Sequence, residues 1–331
     1  METRLVELAI PLPAPFSTAE GSIETRRAVL VGLSEDGVTG WGEAAPYPGV
    51  TPDTVEGVWA CLTETAALTP SAAAAVAEAE ADLEARLHDQ PLWAALGGSR
   101  RPLLGSLVVG LGEDAIGRVR DTGAMAVKLK IHPGDDVRRV EQVRLAYPDL
   151  TIGVDANGSY SWEQRDALLA LDRLDVAYVE QPFADDDLEA HAGLRQELLA
   201  DVVIDEPIDS VEAAVRVLEA DAADALAVKP SRIGLEACRI IHDLALTVGL
   251  RVAASGLLET AVGRAHTLAV ATLPGTVHCD LADDAWFFPL ATGVPKTEVV
   301  DGWITAPVGH GIGIEPDLDA LARYIVQDAR G

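Results

Sequence analysis

Ala126-Val127-Lys128-Leu129-Lys130, near the middle of the chain, is an apolar run closed by an ionisable residue, and the pattern returns. Thr151-Ile152-Gly153-Val154-Asp155, Val176-Ala177-Tyr178-Val179-Glu180, Val202-Val203-Ile204-Asp205 and Ala225-Leu226-Ala227-Val228-Lys229 all end the same way. The closing residues Lys130, Asp155, Glu180, Asp205 and Lys229 follow one another at intervals of 25, 25, 25 and 24. A strand of about 5 residues, a helix of about 11 and two short loops sum to roughly 25, so each interval is one βα unit. The beat extends backward to 103–109 and forward to 250–255 and 276–280. Strands alternating with helices eight times over predict an α/β fold closed into a (β/α)8-type barrel rather than an open sheet.

Barrels of this kind carry their sites at the C-terminal ends of the strands, where all five residues fall. Neighbouring strands are roughly 45° apart around the ring, which places Lys130 and Lys229 on opposite sides of the mouth. Asp155, Glu180 and Asp205 then line the half-wall between them. Three converging carboxylates repel one another unless a cation sits among them. Oxygen-only ligands favour Mg²⁺, with Mn²⁺ as a substitute, over zinc. A single acid after a strand is more simply a helix N-cap or a solvated loop charge; five ionisable residues in phase need another reason. Lys128 and Lys130 alternate with Leu129, so both point to the inner face.

Hydrophobic residues make up 49% of the 331, enough for a large core. A barrel of roughly 200–250 residues leaves on the order of 100 for a second unit. The net charge of −28 opposes binding to nucleic acid or to an anionic membrane. The expected partner is a small carboxylate drawn in by a local metal and the lysines. The start of the chain has no basic segment followed by an apolar one, and no uncharged run approaches about 18 residues, so a soluble, cytoplasmic protein is expected. Cys61, Cys238 and Cys279 are few and far apart, which suggests core positions rather than disulfides or a zinc cluster.

Residues 5–10, 26–33 and 37–41 read as strands, with Glu35-Asp36-Gly37 as a hairpin turn. The stretches 13–22 and 40–49 are rich in breakers and read as loops. Helices are expected over 53–68 and 71–88, with Thr69-Pro70 at the start of the second. Residues 1–100 would form the first part of an α+β cap and 101–290 the barrel. The last segment, 291–331, with short strands at 298–300 and 302–305 and a helix at 318–326, is too short to stand alone and is expected to return to the cap.

The Lys-x-Lys at 128–130, the acids within Val154-Asp155-Ala156-Asn157, Val179-Glu180-Gln181-Pro182 and Ile204-Asp205-Glu206-Pro207, and Lys229 in Val228-Lys229-Pro230 resemble the muconate lactonizing enzyme subgroup of the enolase superfamily. The resemblance covers nearly the whole chain, from Gly40-Trp41-Gly42-Glu43 to the C-terminal return. It implies a modified (β/α)7β barrel with a cap built from both termini. It also implies Mg²⁺ held by Asp155, Glu180 and Asp205, and abstraction of a proton next to a carboxylate, the superfamily's established chemistry. Losing that proton creates a dianion, so metal and ammonium groups act on charge that develops in the transition state. Lys130, as base, must be neutral, and Lys128⁺ with a dication beside it is expected to lower its pKa.

Within the subgroup the chain is similar to the o-succinylbenzoate synthases of menaquinone biosynthesis. This implies syn loss of water from 2-succinyl-6-hydroxy-2,4-cyclohexadiene-1-carboxylate, with Lys130 and Lys229 catalytic. The N-succinylamino acid racemases share the same site and stay open as the alternative, whereas a barrel that held an ion only for interaction would need neither lysine. Lys128 and Ser255-Gly256-Leu257 are implied to contact substrate, the last three through amides where a helix is expected to start. Asp280 and Asp283 are three apart, where dipeptide epimerases carry Asp-x-Asp, and this counts against that activity. Glu206 is expected to point away from the site if its strand continues. Leu235 and Pro207 depart from the subgroup's usual glycine and serine without removing a ligand or a base.

Overall fold

The computed structural model describes residues 1–18, 21–64, 66–134, 136–288 and 297–331. Three antiparallel strands open the chain: β1 (Glu2–Thr18), β2 (Gly21–Glu35) and β3 (Val38–Ala44). Asp36 and Gly37 both have positive φ, as the tight turn between β2 and β3 requires. The stretch 13–22, expected as a loop, is mostly strand: β1 and β2 run on past Pro11, where their register shifts, to pair Phe16 with Ile23 and Ser17 with Ser22. Residues 19 and 20 lie outside the described ones. Strand β3 likewise runs three residues beyond its expected end.

Helices α1 (Val55–Thr63) and α2 (Pro70–Leu87) cover this sheet. Along α2 the alanines do more than favour helix, because they let β3 lie on the helix backbone. A Cβ added at Gly42 would stand 2.0 Å from the Ala75 carbonyl oxygen, and one at Gly40 would stand 2.3 Å from that of Ala79. Asp82 of α2 accepts the Trp41 amide at 2.7 Å and the Ile312 amide at 2.6 Å, so one buried carboxylate ties the cap helix to both ends of the chain. After a short helix α3 (Leu92–Ala95) the chain enters the barrel.

The expected strand 103–109 breaks at Gly105 into β4 (Leu103–Leu104) and β5 (Ser106–Val109). Then come β6 (Ala126–Lys130), β7 (Thr151–Asp155), β8 (Tyr178–Glu180), β9 (Asp201–Ile204), β10 (Ala225–Val228) and β11 (Arg251–Ala254). Strands β5 to β11 form one parallel sheet in sequence order. Between them run α4 (Ala115–Thr122), α5 (Asp136–Ala146), α6 (Arg165–Leu169), α7 (Leu188–Glu197), α8 (Val211–Glu219), α9 (Pro230–Ile233) and α10 (Leu235–Thr247), with α11 (Ala261–Ala271) after the last. Asp114, Asp187, Ser210 and Thr260 cap four of these helices with side-chain oxygens on first-turn amides. Val127, Leu129, Ile152, Val154 and Val179 face outward into the core under the helices. The alternate positions, Lys128, Lys130, Asp155 and Glu180 among them, are left for the interior.

The eighth expected strand, 276–280, is not a full one. It closes the ring through a bridge from Val252 to Thr276, the Val277 amide on Val252 at 3.0 Å and the Asp280 amide on Ala254 at 2.8 Å, and the Ser106 amide reaches Leu281 at 2.8 Å from the far side. The chain end also differs from expectation. Beyond β12 (Trp303–Ile304), paired with β4, helix α12 spans only Leu318–Leu321, and Ile325–Arg330 is a strand, β13, that adds to the cap sheet beside β1. Strand β13 is an edge of the cap sheet, with Arg4 paired to Asp328 at 2.8 Å.

Cap and barrel meet at α11. Glu43 of β3 accepts the Thr260 and Gly263 amides, each at 2.9 Å, and the Thr260 hydroxyl at 2.6 Å. His266 of α11 donates from Nε2 to the Trp41 carbonyl oxygen at 2.8 Å, while its Nδ1 is buried without a partner. Burial pushes its pKa down from 6.5 to about 4. Folding therefore holds His266 neutral, a contribution fully present above pH 6.5 and lost as pH falls toward 4; by linkage it is worth about 3 kcal/mol. The urea midpoint is expected to fall over that window, and His266→Gln is expected to flatten the fall. An unchanged slope in the variant would assign the acid sensitivity to other groups.

Among the described residues no helix is long and apolar enough to cross a membrane. All three cysteines are free; Cys61 and Cys238 are buried and Cys279 half-buried.

Candidate active site

Parallel pairing brings the strand-end residues to one height, because Lys130 is in register with Asp155 and Asp155 with Glu180. Two more steps of the same sheet carry the chain from β8 round to β10, after which Lys229 caps α9. Lys128, Lys130, Asp155, Asp205 and Lys229 line one cavity at the barrel mouth. The cap supplies part of its wall through Phe16, Tyr47 and Val50, so both expected loops contribute a residue. Phe16 packs edge-on against Phe287 at 5.9 Å between ring centres.

Each acid is turned toward a lysine. Lys130 Nζ donates to Asp155 Oδ2 at 2.6 Å and to Asn157 Oδ1 at 2.9 Å. Lys229 Nζ donates to Asp205 Oδ2 at 2.5 Å. Lys128 Nζ stands 3.1 Å from Glu180 Oε1, 3.1 Å from Asp280 Oδ2 and 3.7 Å from Asp155 Oδ2. Glu180 thus lies under Lys128 rather than on the cavity wall. Among the described residues no three His, Cys, Asp or Glu side chains are gathered tightly enough to hold an ion as they stand. Asp155, Glu180 and Asp205 stand on neighbouring strands, and each carboxylate is turned to a lysine.

These pairings set the protonation balance. Burial opposes ionisation of Asp155, yet Lys130 and Lys128 hold its carboxyl below the usual range. Burial also opposes ionisation of Asp205, and Lys229 outweighs it. For Glu180 burial wins: with Asp155 and Asp205 adding repulsion against the pull of Lys128, its pKa is well above the ordinary value. Lys130 is shifted the other way from Asp155. Burial lowers its pKa, but Asp155 more than offsets this, with help from Glu180, and the net shift is upward.

Two carboxylate oxygens in this region, Asp205 Oδ1 and Glu206 Oε2, are buried with no hydrogen-bond partner. Buried carboxylate oxygens left without partners are costly. A hard cation would relieve that cost, and the all-oxygen donor set matches Mg²⁺. On these grounds the residues fit a divalent ion.

Several sequence-based expectations are corrected here. Strand β9 ends at Ile204, one residue before Asp205, so the alternation that would turn Glu206 outward has stopped, and Glu206 lines the cavity beside Asp205. Burial, with Asp205 and Asp155 nearby, raises its pKa to about 8. No helix begins at Ser255; α11 starts at Ala261, and 255–260 is a loop with Leu258 at positive φ. Gly256 and Leu257 do line the cavity, but the Leu257 amide is taken by Glu259 Oε1 at 2.8 Å, so it is not free for a ligand. The Ser255 hydroxyl is buried and unpartnered. The cap pins this loop, since Arg26 Nε donates to the Leu258 carbonyl oxygen at 3.0 Å. Asp280 faces Lys128, and Asp283 accepts the Ala285 and Val299 amides, so neither is free to hold an amino group.

A family model described as mandelate racemase / muconate lactonizing enzyme, N-terminal domain, matches residues 1–97, and one described as enolase C-terminal domain-like matches residues 111–320. An o-succinylbenzoate synthase from Geobacillus kaustophilus is 33% identical, with 97% of this chain and 94% of that protein aligned. An N-succinylamino acid racemase from Thermus thermophilus is 34% identical, over 97% of this chain and 95% of that one. The solved structure of a probable mandelate racemase from Alicyclobacillus acidocaldarius superposes with a TM-score of 0.87 at 31% identity, covering 100% of this chain and 98% of that one.

Proposed function

The chain belongs to the mandelate racemase / muconate lactonizing enzyme family of the enolase superfamily, and from that membership we propose that it is a Mg²⁺-dependent o-succinylbenzoate synthase. It would remove water from 2-succinyl-6-hydroxy-2,4-cyclohexadiene-1-carboxylate to give 2-succinylbenzoate, a carbon–oxygen lyase reaction of menaquinone biosynthesis. The observation that carries this reading is the placement of Lys130 and Lys229 on one cavity with Asp155 and Asp205.

Asp155, Glu180 and Asp205 would hold the ion, which when bound supplies fixed positive charge against the substrate carboxylate. Lys130 takes the proton from the ring carbon that bears the carboxylate. For that it must be neutral: burial and Lys128⁺ lower its pKa, whereas Asp155, one of the acids that would hold the ion, raises it. Lys130 then returns the proton to the departing hydroxyl on the same ring face, and the ring becomes aromatic. Lys229 stays cationic and stabilises the developing negative charge, with the flat ring accepting a cation–π contact. Lys128 would orient the substrate carboxylate. The apolar patch of Phe16, Tyr47, Leu257 and Phe287 suits the cyclohexadiene ring.

The Thermus thermophilus relative favours a second reading, N-succinylamino acid racemisation, in which Lys229 reprotonates the carbon from the opposite side. Parallel assays separate the two. The proposal expects aromatic product from the cyclohexadiene acid in the presence of Mg²⁺, at a kcat/KM above that for racemising N-succinylated amino acids. Racemisation without dehydration would transfer the site to the second reading.

A further inference from the structure

Resting on the reading above, in which Lys130 is the base, we propose that Glu206 is a positioning residue that acts on Lys130 through Asn157. The contacts form a chain. Lys130 Nζ donates to Asn157 Oδ1 at 2.9 Å, and Asn157 Nδ2 donates to Glu206 Oε1 at 2.9 Å. An amide side chain has one acceptor end and one donor end. Glu206, an acceptor, takes the donor end, and this leaves the carbonyl of Asn157 facing the lysine. In the opposite orientation two N–H groups would face an amine and a carbonyl would face a carboxylate.

The consequence is directional. A neutral lysine has two N–H bonds and one lone pair. With one hydrogen on Asp155 Oδ2 and the other on Asn157 Oδ1, the lone pair takes the remaining tetrahedral position at the cavity wall. Without Asn157 only the bond to Asp155 remains, the amine can turn about Cε–Nζ, and its lone pair is no longer fixed toward the cavity.

Both partners are held from elsewhere. The backbone N–H of Asn157 donates to Asp155 Oδ1 at 2.9 Å, and Arg232 donates to the Glu206 carbonyl oxygen at 2.9 Å. Asn157 also has positive φ, which asparagine tolerates better than most residues, so its place in the turn has a backbone reason as well. Asn157→Gly separates the two roles, since glycine keeps the turn and removes the amide.

The test compares Glu206→Ala, Asn157→Gly and the double variant with the wild type, all loaded with Mn²⁺. Each single change is expected to lower kcat about 10- to 100-fold, the range usual for a supporting contact at a metal site, with KM unchanged. The double variant is expected to lose no more than the worse single one, and Glu206→Gln, whose amide oxygen can still accept from Asn157, is expected to recover part of the loss. Mn²⁺ dissociation constants are expected to change less than fivefold. A fivefold or greater weakening in Glu206→Ala, an undiminished kcat, or losses that multiply in the double variant would each overturn the proposal. Crystal structures give a readout independent of turnover: in Glu206→Ala the Asn157 amide is expected to leave Lys130, and an unmoved amide overturns the inference whether or not the wild type dehydrates the cyclohexadiene acid. Wild-type inactivity toward both substrates would instead defeat the functional reading.

Discussion

Lys130→Ala is expected to lower turnover of the cyclohexadiene acid by about 10² to 10⁴-fold, the usual contribution of a positioned general base, and to stop exchange of the substrate α-proton with solvent deuterium. Lys130→Arg should be equally impaired, because a guanidinium keeps the charge but gives up no proton near neutral pH. The pair of variants separates a base from a mere cation. Lys130 stands at the cavity wall rather than in the core under the helices, so neither change should unfold the barrel. Removing it does release Asp155 Oδ2 and Asn157 Oδ1 from their shared donor, which circular dichroism and the urea midpoint would register as a modest loss. Persistent α-proton exchange in either variant, followed by NMR in D₂O, would remove Lys130 from the role of base.

Gly42→Ala is expected to destabilise the protein by more than about 4 kcal/mol, beyond the range of ordinary substitutions. The added methyl would lie 2.0 Å from the Ala75 carbonyl oxygen and 2.8 Å from the Ala79 amide, both backbone atoms of α2 that no rotamer change can move. Strand and helix would have to separate, taking with them the Glu43 contacts that bind the cap to α11. The loop after β3 carries Tyr47 and Val50 onto the cavity wall, so activity should fall with stability. A urea midpoint close to the wild type would show that β3 does not lie against the helix backbone.

The barrel was legible because each inner face ends in a charge. An apolar run closed by Lys130, Asp155 or Glu180 marks both the strand and its C-terminal end, and parallel pairing in register then aligns residues 25 apart at one height. The site was less legible where strands stop early. Glu206 could not be placed from alternation, since the rule holds only inside a strand and β9 ends at Ile204. Asp280 was weighed as a binder of amino groups, but only the closed ring brings it to Lys128, a neighbour 152 positions away. The loop 255–260 is shaped by Arg26 and Glu43 from the cap, long-range contacts that no local pattern announces. At the chain end, Leu318, Leu321, Ile325 and Val326 repeat with helical spacing, yet the free edge of β1 captures Ile325–Arg330 as a strand. There a tertiary hydrogen-bonding partner outweighed a weak local preference.

Lys130 is expected to be neutral beside Lys128⁺ and a dication, and Asp155, whose charge pulls its pKa upward, is one of the three acids that would hold that ion. The role of Lys130 as a base thus rests on the central claim that these acids bind an ion. Titration of the metal-stripped protein with Mn²⁺, followed by the paramagnetic resonance of the free ion, tests it most directly. One tightly bound ion per chain is expected, displaced by excess Mg²⁺, with affinity falling at least tenfold in each of Asp155→Asn, Glu180→Gln and Asp205→Asn. A wild type that leaves Mn²⁺ free, or an ion whose affinity ignores all three substitutions, would contradict the account.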